Sequence, residues 1–358
     1  MIITMALFSN NVKKTPLLAK DNTHFVKATV IKADNLLEST GGDTTGDSQK
    51  VDLRITSGEH KGEVVSGYSL NGYLYGAECK EGTKVIVKLS EYEGSLSASV
   101  YNYDREAQII VLIVIFFAFM CIVGGRKGVD SVFALIFTVI VVVLFYIPLM
   151  YVGVSPFLAA TVSVVLITVM THILIADMKK KSISAMLGSI CGVVVAGIIA
   201  MIFGKMAHIN GYNVDEIETL IYIGQNSKLD IGGMLFSGIL IASLGAVMDV
   251  AMSVSSALNE LNEAKPDITF AELFKSGINI GRDMIGTMSN TLILAYVGTS
   301  VNLMMIIYSY SYEAHQILNM YSVAIEIMRG ISGTLGIILT VPFTAFITAW
   351  LFKRECKK

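Results

Sequence analysis

Between residues 24 and 103, apolar and polar positions alternate in the short runs "FVKATVIKA", "KVDLRITS", "GEVVSGYSL", "TKVIVKLS" and "GSLSASVYNY", with Gly, Asp, Ser and Asn between them. A period of two punctuated by turn residues predicts strands that bury one face. Five or six such strands in so short a segment predict a small barrel, SH3-like or OB-like, and "DNLLESTGGDTTGDSQK" reads as a polar loop within it. From residue 107 the pattern changes to long apolar runs, at 107–124, 131–150, 155–176, 183–204, 232–257, 284–309 and 331–352. At about 20 residues per crossing these predict seven membrane-spanning helices. The expected fold is an α-helical polytopic membrane bundle preceded by a small β-barrel-like domain. Residues 1–23 form a tail, 24–106 the β domain, 107–352 the transmembrane domain and 353–358 a second tail.

Composition sharpens the division. The chain is 53% hydrophobic and 16% charged with a mean hydropathy of +0.63, whereas a soluble domain has about a quarter of its residues charged. The apolar excess starts after residue 106, because the first 106 residues carry 12 Lys/Arg and 14 Asp/Glu. Cys79, Cys121, Cys191 and Cys356 have neither disulfide-framework nor metal-ligand spacing. A net charge of −2 leaves no basic surplus for nucleic acid. No HExxH, GxSxG or Walker A motif occurs, and the five histidines are not at ligand spacing, so no enzyme, cofactor or metal is expected.

Charge also orients the spans. Arg126, Lys127, Lys179, Lys180, Lys181, Lys265, Lys275, Arg282, Lys353, Arg354, Lys357 and Lys358 fall on one set of sides. Lys205 and Lys228 fall on the other, with Arg105 and Arg329 at helix borders. The positive-inside rule makes the first set, and the C-terminus, cytoplasmic. An odd number of spans then puts the β domain outside the cell. "MIITMALF" lacks the basic start and small-residue cleavage site of a secretory signal. Either it is the remnant of a longer anchor, or the first membrane helix carries the domain across.

Asp249 stands inside the fifth run, where an ionised carboxylate is costly and hence a functional hypothesis. Gly245, Ser253 and Ser256 share its helix face, which is expected to point into the bundle. The sixth helix repeats the arrangement with Asp283, Gly286, Thr287 and Asn290, placing Asn290 at the same depth as Asp249. Glu326 and Arg329 are expected to form a structural ion pair. His172, one turn before Asp177, reads as interfacial. Gly188 and Gly192 read as a close-packing notch.

In "GAVMDVAMSVSSALNEL", "SGINIGRDMIGTMSNTLILAY" and "RGISGTLGIILTVPFTAFI" the sequence resembles the YibE/F-like family of bacterial multi-pass membrane proteins, over residues 100–352. The resemblance implies a bacterial cell-membrane protein with a short β-rich extracytoplasmic region, and it implies no activity. Its motif positions here are Asp249, Asn279, Arg282, Asp283, Asn290 and Thr291; the N-terminus departs from the family in lacking a further hydrophobic anchor. The favoured reading is a transporter or channel for a small solute or ion. Asp249 and Asn290 form its core, Ser253, Thr287 and Thr291 supply oxygens, and protonation of Asp249 couples movement to the proton gradient. The alternative is a non-transporting scaffold whose outer β domain binds an envelope partner. The lipid bilayer is a partner in both, and both are compatible with an oligomer.

Overall fold

The computed structural model describes residues 1–12, 23–34, 48–70, 76–92, 95–175, 178–214 and 217–353. Most of the expected polar loop, Asp177 and the tail after Lys353 lie outside them. Two compact units form, residues 16–119 and residues 1–15 with 120–358.

In the first unit each alternating run is one strand: β1 (Thr23–Ala33), β2 (Ser48–Ile55), β3 (Val64–Leu70), β4 (Lys84–Tyr92) and β5 (Ser95–Tyr103). They close a barrel in the order β1-β2-β3-β5-β4, antiparallel except for the parallel pair β3–β5. Alternate residues fill its interior, with Val26, Ala28 and Val30 meeting Val51, Leu53, Ile55, Val85, Val87, Leu89, Ala98 and Val100. At the parallel seam Gly67 lies so close to Ala98 that a Cβ would collide with the Ala98 carbonyl.

Gln49 is the barrel's buried polar staple. Its amide donates to Asp34 O at 2.8 Å and Cys79 O at 2.9 Å, and its Oε1 accepts from Cys79 N–H at 2.9 Å. Burial pushes the neighbouring Cys79 thiol up, keeping it unreactive. Gln49→Leu strands three backbone groups, a loss of about 2 kcal/mol or more. In the full chain, alkylation of Cys79, mapped by mass spectrometry, is expected to accelerate at least about tenfold through local opening; an unchanged rate would mean the staple contributes nothing.

The second unit is helical. Its elements are α1 (Ile2–Asn11), α2 (Glu106–Val141), which begins in the first unit, a π-helical turn (Val142–Tyr146), α3 (Ile147–Tyr151), α4 (Pro156–Ile175), α5 (Lys180–Met206), α6 (Ile217–Gln225), α7 (Ile231–Ala264), α8 (Phe270–Thr299), α9 (Val301–Ser309), α10 (Ala314–Asn319) and α11 (Tyr321–Lys353). Among the described residues five stretches are long and apolar enough to cross a membrane: Glu106–Tyr151, Pro156–Ile175, Lys180–Met206, Ile231–Ala264 and Tyr321–Lys353. A sixth arises if α8 and α9, bent by 60°, are one broken span.

The count differs from seven for identifiable reasons. The first two apolar runs share the stretch Glu106–Tyr151, but Gly125 breaks its helix with φ 56° and ψ −135°. A Cβ at Gly128 would strike the Met120 carbonyl across that break. The expected straight span 284–309 is instead the second half of α8 plus α9. Helix α8 starts earlier because Thr269 caps it: Thr269 Oγ1 accepts from Glu272 N–H at 3.3 Å, and Glu272 Oε2 accepts from Thr269 N–H at 2.9 Å. This capping box lies between the apolar runs 232–257 and 284–309, outside the expected spans.

Helix α11 packs against α5, α7 and α8 and runs unbroken through Pro342. Its contact with α5 is the tightest, since a Cβ at Gly188 or Gly192 would strike Thr344 or Thr340 Oγ1. Met5 of α1 is buried in the same core as Phe137, Tyr146 and Leu240. Hydroxyl pairs bridge the helices inside it, Tyr146 Oη with Ser237 Oγ and Ser184 Oγ with Ser255 Oγ, each at 2.6 Å.

Candidate functional site: a polar face on α7 and α8

Helix α7 buries Leu240, Leu244, Val247, Ala251, Val254 and Leu258 against α4, α5, α8 and α11. Its remaining face is narrow and carries Gly238, Ala242, Gly245, Asp249 and Ser253, all exposed. The expectation that Asp249 points into the bundle is therefore corrected. The bundle interior takes a different set of small residues from the same helix, Ser237, Ser243 and Ser255. Two small-residue faces exist, and the one carrying the carboxylate is turned outward.

Helix α8 behaves alike. Leu273, Gly277, Gly281 and Leu292 are buried, Gly277 against Ala345 and Leu258, Gly281 against Val341. Asn279, Arg282, Asp283, Gly286, Thr287, Asn290 and Thr291 are all exposed. The hydroxyl of Thr287 donates to Met284 O at 3.1 Å and that of Thr291 to Thr287 O at 2.9 Å, so each is tied to its own helix with its oxygen free to accept.

The two helices align through packing markers. Gly277 meets Leu258, and Gly333 of α11 meets both Leu292 and Ser243. Asp249 is therefore level with Gly286, and Asn290 with Gly245, one turn or about 5 Å apart. The expected equal depth of Asp249 and Asn290 is off by that turn. Neither has a hydrogen bond or ion pair among the described residues. Gly245 and Gly286 leave open space where a Cβ would stand, so each polar side chain is level with a notch on the neighbouring helix.

Glu326 and Arg329 do pair, Arg329 Nη1 donating to Glu326 Oε1 at 2.6 Å, with side chains 24% and 35% exposed. Glu326 lines two cavities, and Arg329 lines the second of them. One, of about 730 Å³, is walled by apolar residues of α8, α9 and α11 with Tyr296 and Glu326. The other, of about 580 Å³, includes Asn302, Ser322, Glu326 and Arg329. Sequence reading missed Tyr296, whose buried hydroxyl has no partner among the described residues; no sequence signal marked it, since it stands within the apolar run 284–309. His172 is 3% exposed, packed inside the helical unit near the end of α4, its Nδ1–H donating to Thr168 O at 2.8 Å.

Five apolar helices of this length, with polar groups collected on one face, fit a membrane protein. The chain belongs to the YibE/F-like family, whose model matches residues 112–354 and so covers both α7 and α8. No curated protein and no solved structure matches it.

Proposed function

We propose that this chain is a transporter or channel of the bacterial plasma membrane, with the polar face of α7 and α8 lining a route for a small cation. The observation that carries the reading is Asp249: a carboxylate without a hydrogen-bond or ion-pair partner among the described residues, on the outer face of an apolar helix, ten residues before the polar run that starts at Asn259. That is about 15 Å of helix. An acid at such depth costs about 2.5–3.5 kcal/mol against lipid and is kept where a polar route needs it. Its surroundings are rich in acceptors, with the Thr287 and Thr291 oxygens, Ser253 and the Asn290 amide oxygen on the same exposed faces. Acceptors without a matching set of donors suit a cation, the proton included. Asn279, Arg282 and Asp283, nearer the start of α8, form its mouth.

The lysine and arginine distribution supports a cytoplasmic C-terminus; the barrel is then extracytoplasmic if the chain crosses an odd number of times, as it does when Glu106–Tyr151 crosses twice about its break at Gly125 and α8 with α9 crosses once. Its strand order is that of an OB-type barrel. A second reading, a scaffold whose barrel binds an envelope partner, has one observation in its favour: Phe25 and Tyr101 pack edge to face at 5.1 Å on the barrel exterior, 53% and 42% exposed. Catalysis belongs to neither reading. The test is cation and proton flux into vesicles holding the purified chain, wild type against Asp249→Asn. Loss of flux in the variant supports transport; equal flux removes it.

A further inference from the structure

The outward faces of α7 and α8 share a spacing. Gly238, Ala242, Gly245 and Asp249 follow steps of four, three and four residues, and so do Asn279, Asp283, Gly286 and Asn290. That repeat keeps one seam of a helix against a second helix for several turns. All eight positions are exposed on the single chain, and Gly238, Gly245 and Gly286 have open space above them. Bare Asp and Asn side chains cannot rest on acyl chains without cost, while glycine and alanine in the same seams let another helix approach closely and hydrogen-bond.

The seams are complementary to each other. Side chains on a helix lean toward its N-terminus. Helices α7 and α8 run in opposite directions, so Asp249 leans toward the height of Asn290, and Asn290 toward that of Asp249. Within one chain neither has a hydrogen bond among the described residues. A two-fold axis along the membrane normal preserves every height. Asp249 of one copy then meets the notch at Gly286 of the other, and Asn290 meets the notch at Gly245, twice per pair.

We infer that a second copy of this chain covers the face, α7 of one copy packing antiparallel on α8 of the other, with the Asn290 amide donating to the Asp249 carboxylate across the interface. This rests on the membrane reading and deepens the transport reading by placing the route between two copies. Two differently tagged full-length chains are co-expressed, one carrying Gly245→Cys and the other Asn290→Cys, and oxidised in native membranes. A disulfide between the tags is expected. It should exceed at least tenfold that of a control pairing Asn290→Cys with Leu187→Cys, which is exposed on α5. A seam pair no better than the control overturns the inference. Native mass spectrometry of the unsubstituted chain is expected to give twice 38.8 kDa, shifting to the single mass in Gly286→Leu; a single mass for the unsubstituted chain also overturns it. Cross-linking without Asp249-dependent flux keeps the dimer and removes transport. Asp249-dependent flux from chains that do not cross-link keeps transport and removes the dimer.

Discussion

Gly192→Val is expected to abolish folding of the helical unit, with no monodisperse protein recovered in mild detergent where the unsubstituted chain gives a sharp peak. The geometry leaves no milder outcome. Gly192 faces Thr340, whose Oγ1 occupies the place a Cβ would take and is held there by donating to Gly336 O at 2.7 Å. Moving the threonine breaks that bond inside a core where nothing replaces it. Moving the helix separates α5 from α11, which also touch where Gly336 meets Ala196 and the Gly192 carbonyl. Overpacking costs about 1–3 kcal/mol when side chains can yield; here the Thr340 side chain is hydrogen-bonded in place and Val247 closes in from α7, so a loss above about 4 kcal/mol is expected. Gly245→Ala is the contrast. Open space lies above Gly245, so the single-chain fold should tolerate the methyl group or gain up to about 1 kcal/mol from helix propensity. Size-exclusion profiles and melting temperatures of the two variants check both statements.

The second large effect is on function. Asp249→Asn keeps the shape of the side chain and removes its capacity to carry charge or a transferable proton, so cation-driven or proton-coupled flux should fall at least about a hundredfold. Asp249→Leu should lose flux equally while raising insertion into the bilayer, because a leucine at a helix centre is favoured over aspartate by about 3 kcal/mol. That opposition separates the readings. In a scaffold held by Asp249 both variants loosen the bundle, whereas in a transporter both leave the folded yield intact. Among the described residues Asp249 has no hydrogen bond or ion pair to α4, α5 or α11, which argues for the second pattern.

The barrel was legible because its interior positions alternate without interruption: Val26, Ala28 and Val30, or Val51, Leu53 and Ile55. Its closure was not, since the parallel pairing of Gly67 with Ala98 joins segments far apart in sequence. Apolar runs located the long helices, but hydropathy alone hid the start of α8, where the Thr269 and Glu272 cap sits among charges. The candidate residues were readable as a set, and their direction was not. Helix α7 carries Ser237, Ser243 and Ser255 on one side and Gly238, Ala242, Gly245 and Asp249 on another. In a soluble protein the stripe with the carboxylate would face outward by default; in a bilayer lipid is as apolar as the core, and the pattern loses its sign.

The claim on which the rest depends is that the outer face of α7 and α8 borders a polar route at bilayer depth. A cysteine placed at Ser253 or Asn290 in membrane-embedded protein reports this through its rate of reaction with a charged, water-soluble thiol reagent, compared with one at Leu187. Reaction at the two seam positions at least about tenfold faster than at Leu187, and slowed by the transported cation, is the predicted result. Equal and slow reaction at all three positions would contradict it.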